Sequence, residues 1–156
     1  MKNLIVFYSR TGNTKKVAQE LTKITGWEIE EIFDTKDRFG IFGYISAGRD
    51  AMRKKLTELK PLIKNISDYD LIIVGTPIWS GIVSAPVRTF LQNFKRELKK
   101  VAFFCTKGGK GGASLFPEME EICGLKPSAT LALRTKEVAA GDLDGKLKDF
   151  AAKAQN

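Results

Sequence analysis

Leu4-Ile5-Val6-Phe7-Tyr8-Ser9-Arg10-Thr11-Gly12-Asn13-Thr14 is the stretch on which the reading of the chain turns. Its first five residues form a continuous β-branched and aromatic run of strand length. Thr14 to Thr25 then places Val17, Ala18, Leu21 and Ile24 on one helical face. A strand, a short hydroxyl-rich loop and a helix therefore follow one another without a break. Further along, the alternation repeats. Trp27 to Phe33 reads as a second strand interrupted by Glu28, Glu30 and Glu31, and Leu71 to Gly75 as a wholly apolar third. Ser84 and Pro86 open a helix whose Val87, Phe90, Leu91, Phe94 and Leu98 keep a 3.6-residue period. Val101 to Thr106 is an apolar fourth strand, followed by a shorter helix carrying Leu115, Met119 and Ile122. Ser128 to Arg134 reads as a fifth strand, and Leu143, Leu147, Phe150, Ala151 and Ala154 as the apolar face of a closing helix. Strand and helix in strict alternation predict an α/β fold with a parallel sheet covered on both faces.

Polarity sets the expected strand order. Strands buried on both faces read as unbroken apolar runs, whereas edge strands tolerate charge. Strands one, three and four are unbroken; two and five are mixed. A five-stranded doubly wound order 2-1-3-4-5 puts the mixed strands at the edges. The order 3-2-1-4-5 would bury the acidic second strand and expose the apolar third. In the first order the switch point lies between strands one and three, where ligands sit at the strands' carboxyl ends. Three loops should meet there: Ser9 to Thr14, Thr76 to Pro86, and Thr106 to Gly112.

With 156 residues, 43% hydrophobic and 28% charged, the chain reads as a single domain spanning 1–156 with a sufficient core. It contains no histidine, which removes imidazole bases, histidine metal clusters and His-based triads together. Cys105 and Cys123 do not form a CxxC pair; they read as reduced thiols serving as small hydrophobes in a cytoplasmic protein. The Leu4–Tyr8 run is too short for a signal peptide. Gly75, Pro77, Gly81 and Pro86 break the longest uncharged stretch, so no membrane span is expected. The net charge of +8 is spread over presumed helix faces, among them Lys54, Lys55, Lys64, Lys95, Arg96, Lys99 and Lys100. No nucleic-acid-binding motif accompanies it, so nucleic acid is the lesser expectation, while an acidic protein partner, a membrane surface or nothing beyond a soluble surface stay open.

The loops carry the chemistry. Ser9, Arg10, Thr11, Gly12, Asn13 and Thr14 gather three hydroxyls, a glycine and the amides of a helix start, the donor set that a phosphate requires. The alternative is a hydroxyl-rich helix cap. No Walker or GxGxxG pattern is present. Thr76, Pro77, Ile78, Trp79, Ser80 and Gly81 offer an indole beside residues that let a ligand approach closely, a suitable wall for a flat aromatic group. The alternative is a Trp packed over the sheet end. Thr106, Lys107, Gly108 and Gly109 begin a glycine-rich third loop. Between Asp34 and Pro61, Phe39, Phe42 and Tyr44 precede Arg49, Arg53, Lys54 and Lys55. The expectation there is an amphipathic second helix with its aromatics stapled onto the sheet; a flap reaching the ligand is the alternative.

A phosphate loop reading Ser9-x-Thr11-Gly12-Asn13-Thr14, an aromatic loop after the third strand and a glycine-rich loop after the fourth resemble the flavodoxins, across essentially the whole chain and in the short-chain form. The resemblance implies non-covalent FMN. Its phosphate would lie on Ser9 to Thr14, and its ring by Thr76, Pro77, Ile78 and Trp79 with Gly108 and Gly109 alongside. Ser80, Gly81, Thr106 and Lys107 complete the implied cofactor-binding set, and Gly81 is the candidate for a peptide that reorients toward the reduced ring. The implied function is an electron carrier shuttling between redox proteins through a flavin semiquinone, as a monomer or weak dimer. Two alternatives stand beside it: an FMN-dependent NAD(P)H:quinone or flavin reductase, and a flavin-free basic adaptor for anionic macromolecules. Three features depart from the family's habit: no aromatic in the third loop before Phe116, a basic charge, and Arg10 in the phosphate loop.

Overall fold

The computed structural model describes residues 1–36, 40–54, 56–109, 112 and 114–156, with side chains omitted for Ile41, Tyr44, Asp50, Ala51 and Met52. β1 (Asn3–Phe7) is buried along its whole length and pairs in parallel with β2 (Glu28–Glu31) on one side and β3 (Leu71–Trp79) on the other. β3 turns back at Ser80-Gly81 into the two-residue antiparallel strand β4 (Ile82–Val83). β5 (Val101–Lys107) lies beyond β3, and β6 (Thr130–Arg134) beyond β5, both parallel. The order β2-β1-β3-β5-β6 is the expected doubly wound order, with β4 as an added strand.

Alternation along the strands sorts the core into two layers. Leu4, Val6, Ile72, Val74, Phe103 and Cys105 face one side, under α3 (Ala85–Phe94) and α4 (Leu115–Cys123). Ile5, Phe7, Leu71, Ile73, Ala102 and Phe104 face the other, under α1 (Asn13–Thr25) and α6 (Asp144–Gln155). The faces read from periodicity hold: Val17, Ala18 and Leu21 of α1 are buried, as are Val87, Phe90 and Leu91 of α3 and Leu147, Phe150, Ala151 and Ala154 of α6. A six-residue helix, α5 (Thr135–Ala140), follows β6 and has no counterpart in the periodicity.

The acidic second strand works at the edge because each carboxylate is met. Lys64 pairs with Glu28, Lys15 with Glu31 at 2.7 Å, and the Ile63 amide donates to the buried Glu30 at 2.8 Å. Such charges also blunt an edge against pairing with another sheet.

The segment after β2 departs from expectation. α2 (Gly40–Met52) forms, but Phe42 points outward instead of stapling the helix to the sheet; among the described side chains the small residues Gly43 and Ala47 are the buried ones. Phe39 lies outside the described residues, as do Lys55, Lys110 and Gly111.

Candidate functional site

The first loop leaves β1 and enters α1 through Gly12, the helix's N-cap, at φ 95°. Its surroundings are open, so the glycine is required by the left-handed backbone and not by crowding. No side chain caps the helix. Two of the loop's hydroxyls are engaged locally: Ser9 Oγ accepts from the Gly12 amide at 3.0 Å, and Thr11 Oγ1 accepts from Asn13 Nδ2 at 3.2 Å. Thr14 is buried, and its hydroxyl shares a 2.8 Å hydrogen bond with that of Thr106, tying the first loop to the end of β5. The first amides of α1 have no intrahelical acceptor, and the dipole there favours negative charge.

The second loop is a hairpin. Ser80 and Gly81 both have positive φ, 51° and 82°, the pattern of a tight two-residue turn matched to strand twist. Trp79 is therefore a strand residue, only 5% exposed and packed edge-on against Tyr8 with ring centroids 5.4 Å apart. The extended β3 carries the indole into the apolar layer with Tyr8, Ala47 and Val83, as in the alternative of a Trp packed over the sheet end. Below it, Thr76 is fully buried and its hydroxyl bonds that of Ser84 at 3.0 Å, fixing the hairpin's base to the start of α3. The hairpin's returning strand is held from the far side. Glu118 of α4 accepts from the Val83 amide at 3.1 Å and pairs with Arg88 of α3 at 2.5 Å.

In the third loop, Gly112 at φ 91° sits against Ile78; a Cβ there would lie 2.4 Å from the isoleucine's Cδ1. The third loop thus closes onto the second. Gly108 and Gly109 are exposed with open space around them.

All three loops border one cavity of about 260 Å³, lined by Arg10, Thr11, Asn13, Pro77, Ile78, Trp79, Thr106, Gly108 and Thr135. The remaining candidates, Ser9, Gly12, Thr14, Thr76, Ser80, Gly81, Lys107 and Gly109, are not among its lining; Ser9, Thr14 and Thr76 hold the loops in place through the bonds above. Sequence reasoning missed Thr135. Its signal was positional: it opens the loop at the carboxyl end of the strand next to β5, on the ligand side of such a sheet. Glu137 fixes that helix start by accepting from the Arg134 amide at 2.8 Å. Among the described residues, the lining carries one cation, Arg10, and no carboxylate. Hydroxyls and helix-start amides border it on one loop and Pro77, Ile78 and Trp79 on another, so it suits a ligand with an anionic group and an apolar body. Neither thiol adds chemistry: burial pushes Cys105 up to about 12 and raises Cys123 as well, keeping both protonated. Among the described residues no helix is long and apolar enough to cross a membrane.

The flavodoxin family model matches residues 2–132. A flavodoxin-like domain-containing protein, BilS, of Clostridioides difficile is 30% identical over 126 residues; the match takes in 78% of this chain and 58% of that longer protein. A flavoprotein of Lactobacillus acidophilus, solved in complex with FMN, superposes with a TM-score of 0.73 and 26% identity, covering 96% of this chain and 98% of that one. Megasphaera elsdenii flavodoxin shares the fold, at a TM-score of 0.61 and 20% identity over 97% of each chain. With the family model spanning most of its length and the three loops gathered on one cavity, this chain belongs to the flavodoxin family.

Proposed function

We propose that the protein binds FMN and works as a one-electron carrier between redox proteins. The observation that carries this reading is the convergence of an uncapped helix start, an apolar hairpin and a glycine loop on one cavity. The donor set fits the cofactor: a phosphomonoester would be held by the amides of Thr11 to Lys15, with Arg10 supplying positive charge. Each charge-assisted hydrogen bond contributes about 1.5–3 kcal/mol. Pro77, Ile78 and Trp79 would border the ring, and the Gly108 backbone would approach it without a side chain between. The L. acidophilus flavoprotein, similar over nearly its full length, was solved with FMN, which supports the assignment.

Bound flavin supplies the electron storage, and the polypeptide binds it, orients it and excludes water. Without a histidine in the chain, and with both thiols held protonated, the protein offers little proton-transfer machinery for a second substrate. That favours a carrier over a turnover enzyme. The +8 charge favours acidic partners, steered electrostatically. Reductive titration of the FMN-loaded protein should proceed in two resolved one-electron steps. A single two-electron step, together with rapid oxidation of NAD(P)H by quinone in the protein's presence, would replace the carrier with a reductase.

A further inference from the structure

Among its described side chains, α2 reverses the usual pattern of burial. It turns its small residues inward, with Gly43 and Ala47 buried. It also presses so close to the hairpin that a Cβ on Gly48 would come within 2.9 Å of Ser80 Oγ. Two of its large apolar residues face water: Phe42 is 88% exposed and Ile45 59%. Single exposed apolar residues are ordinary, but these two are three apart and so neighbours on one face. The same stripe continues, at helical spacing, into exposed Arg49 and Arg53. Between 49 and 55 the sequence has four bases (Arg49, Arg53, Lys54, Lys55) against one acid, Asp50.

An apolar spot beside a cationic one is the anatomy of a protein interface, with a dry centre and a charged rim that steers the partner. Its placement gives it a purpose. α2 sits on the hairpin whose Trp79 lines the cavity, so a partner seated on the stripe is separated from the cavity wall by about one helix diameter, roughly 10 Å. We propose that the outer stripe of α2 and the turn after it (Phe42, Ile45, Arg49 and Arg53) is the docking face for an acidic redox protein with an apolar contact centre; this rests on the carrier reading above.

The test uses photoreduced, FMN-loaded protein and two probes that share a haem and differ in charge: native, basic cytochrome c and its succinylated, acidic form. In each, one electron passes from the reduced flavin and the haem iron goes from ferric to ferrous. The succinylated probe should be reduced at least about tenfold faster at low ionic strength, with the advantage collapsing as salt is raised. The pairs Phe42→Ser/Ile45→Ser and Arg49→Glu/Arg53→Glu should each slow that reaction about tenfold or more. FMN affinity and reoxidation by oxygen should stay unchanged in both. In NMR titrations the succinylated probe should shift amides of residues 40–54. Unchanged rates at unchanged FMN affinity, or shifts confined to another face, would overturn the docking face and leave the carrier intact. Failure of the unsubstituted protein to bind FMN would remove the carrier and the docking face with it. A dimer dispersed by Phe42→Ser/Ile45→Ser, or anionic vesicles released by it, with haem reduction unaffected, would reassign the stripe to a second copy or to a lipid surface.

Discussion

Two glycines show how differently the same residue can be required. Gly12 sits at φ 95° in open space, so an added methyl meets nothing, yet the left-handed backbone is costly for any other residue. Gly12→Ala should lower the unfolding free energy by about 1–2 kcal/mol and weaken FMN binding, because relaxing φ re-aims the helix-start amides. Gly75 has ordinary backbone, but a Cβ would lie 2.1 Å from Phe104 Cζ. Gly75→Ala should cost about 1–3 kcal/mol through overpacking alone and leave FMN affinity nearly unchanged. Urea unfolding and FMN titration on both variants separate the two cases; equal losses of affinity would contradict the distinction. The donor character of the first loop was legible from Ser9 to Thr14, but the division of labour among its hydroxyls was not. Thr14 spends its hydroxyl on Thr106, 92 positions away, and no local pattern announces such a partner.

Element order and sheet order were legible for a physical reason. The charges of Glu28, Glu30 and Glu31 are tolerated only where bases and amides can reach them, which is at an edge. The hairpin was less so. Pro77 and Gly75 signal a break, and β3 runs through both; the true turn is Ser80-Gly81, a turn dipeptide flanked by short apolar pairs. α2 was read as stapled by Phe39, Phe42 and Tyr44; Phe42 faces outward, and where the helix meets the hairpin Gly48 leaves little room for a Cβ beside Ser80 Oγ. What holds the hairpin is a buried ion pair: Arg88 and Glu118 side chains are 7% and 10% exposed, and Glu118 also takes the Val83 amide. The pair is incompletely satisfied, since Arg88 Nε lacks a partner. Glu118→Ala should therefore cost about 3–5 kcal/mol by stranding a buried guanidinium, whereas Arg88→Met/Glu118→Leu should cost only about 1–3 kcal/mol, for the Val83 amide left without its acceptor. Chemical denaturation of both checks this; a mild effect of Glu118→Ala would contradict the pair's role.

Taken whole, the molecule lacks any side chain that ordinarily titrates near neutrality. Its perturbed groups lie on either side of that range. Lys64 chiefly holds Glu28 below its usual 4.5, the Lys2 amide holds Asp70 below 3.8, and Lys146 holds Glu137 below 4.5. A carboxyl whose folded pKa is depressed stabilises above its unfolded value, and that contribution disappears as pH falls through the folded value. Cys105, raised from 9.0 to about 12, stabilises below 9 and loses its contribution as pH rises toward 12. The unfolding midpoint should thus be nearly level from about pH 6 to 8 and drop below about 4.5 and above about 9. A steep slope between 6 and 8 in thermal melts would contradict this. On the proposed function, the uncapped start of α1 and two neighbouring loops receive a flavin by its phosphate. The most direct measurement is calorimetry of the folded protein with FMN and, separately, with riboflavin, which lacks the phosphate. FMN should bind at least about a hundredfold more tightly, as three or so charge-assisted hydrogen bonds require. No heat with FMN, or equal affinity for both, would contradict it.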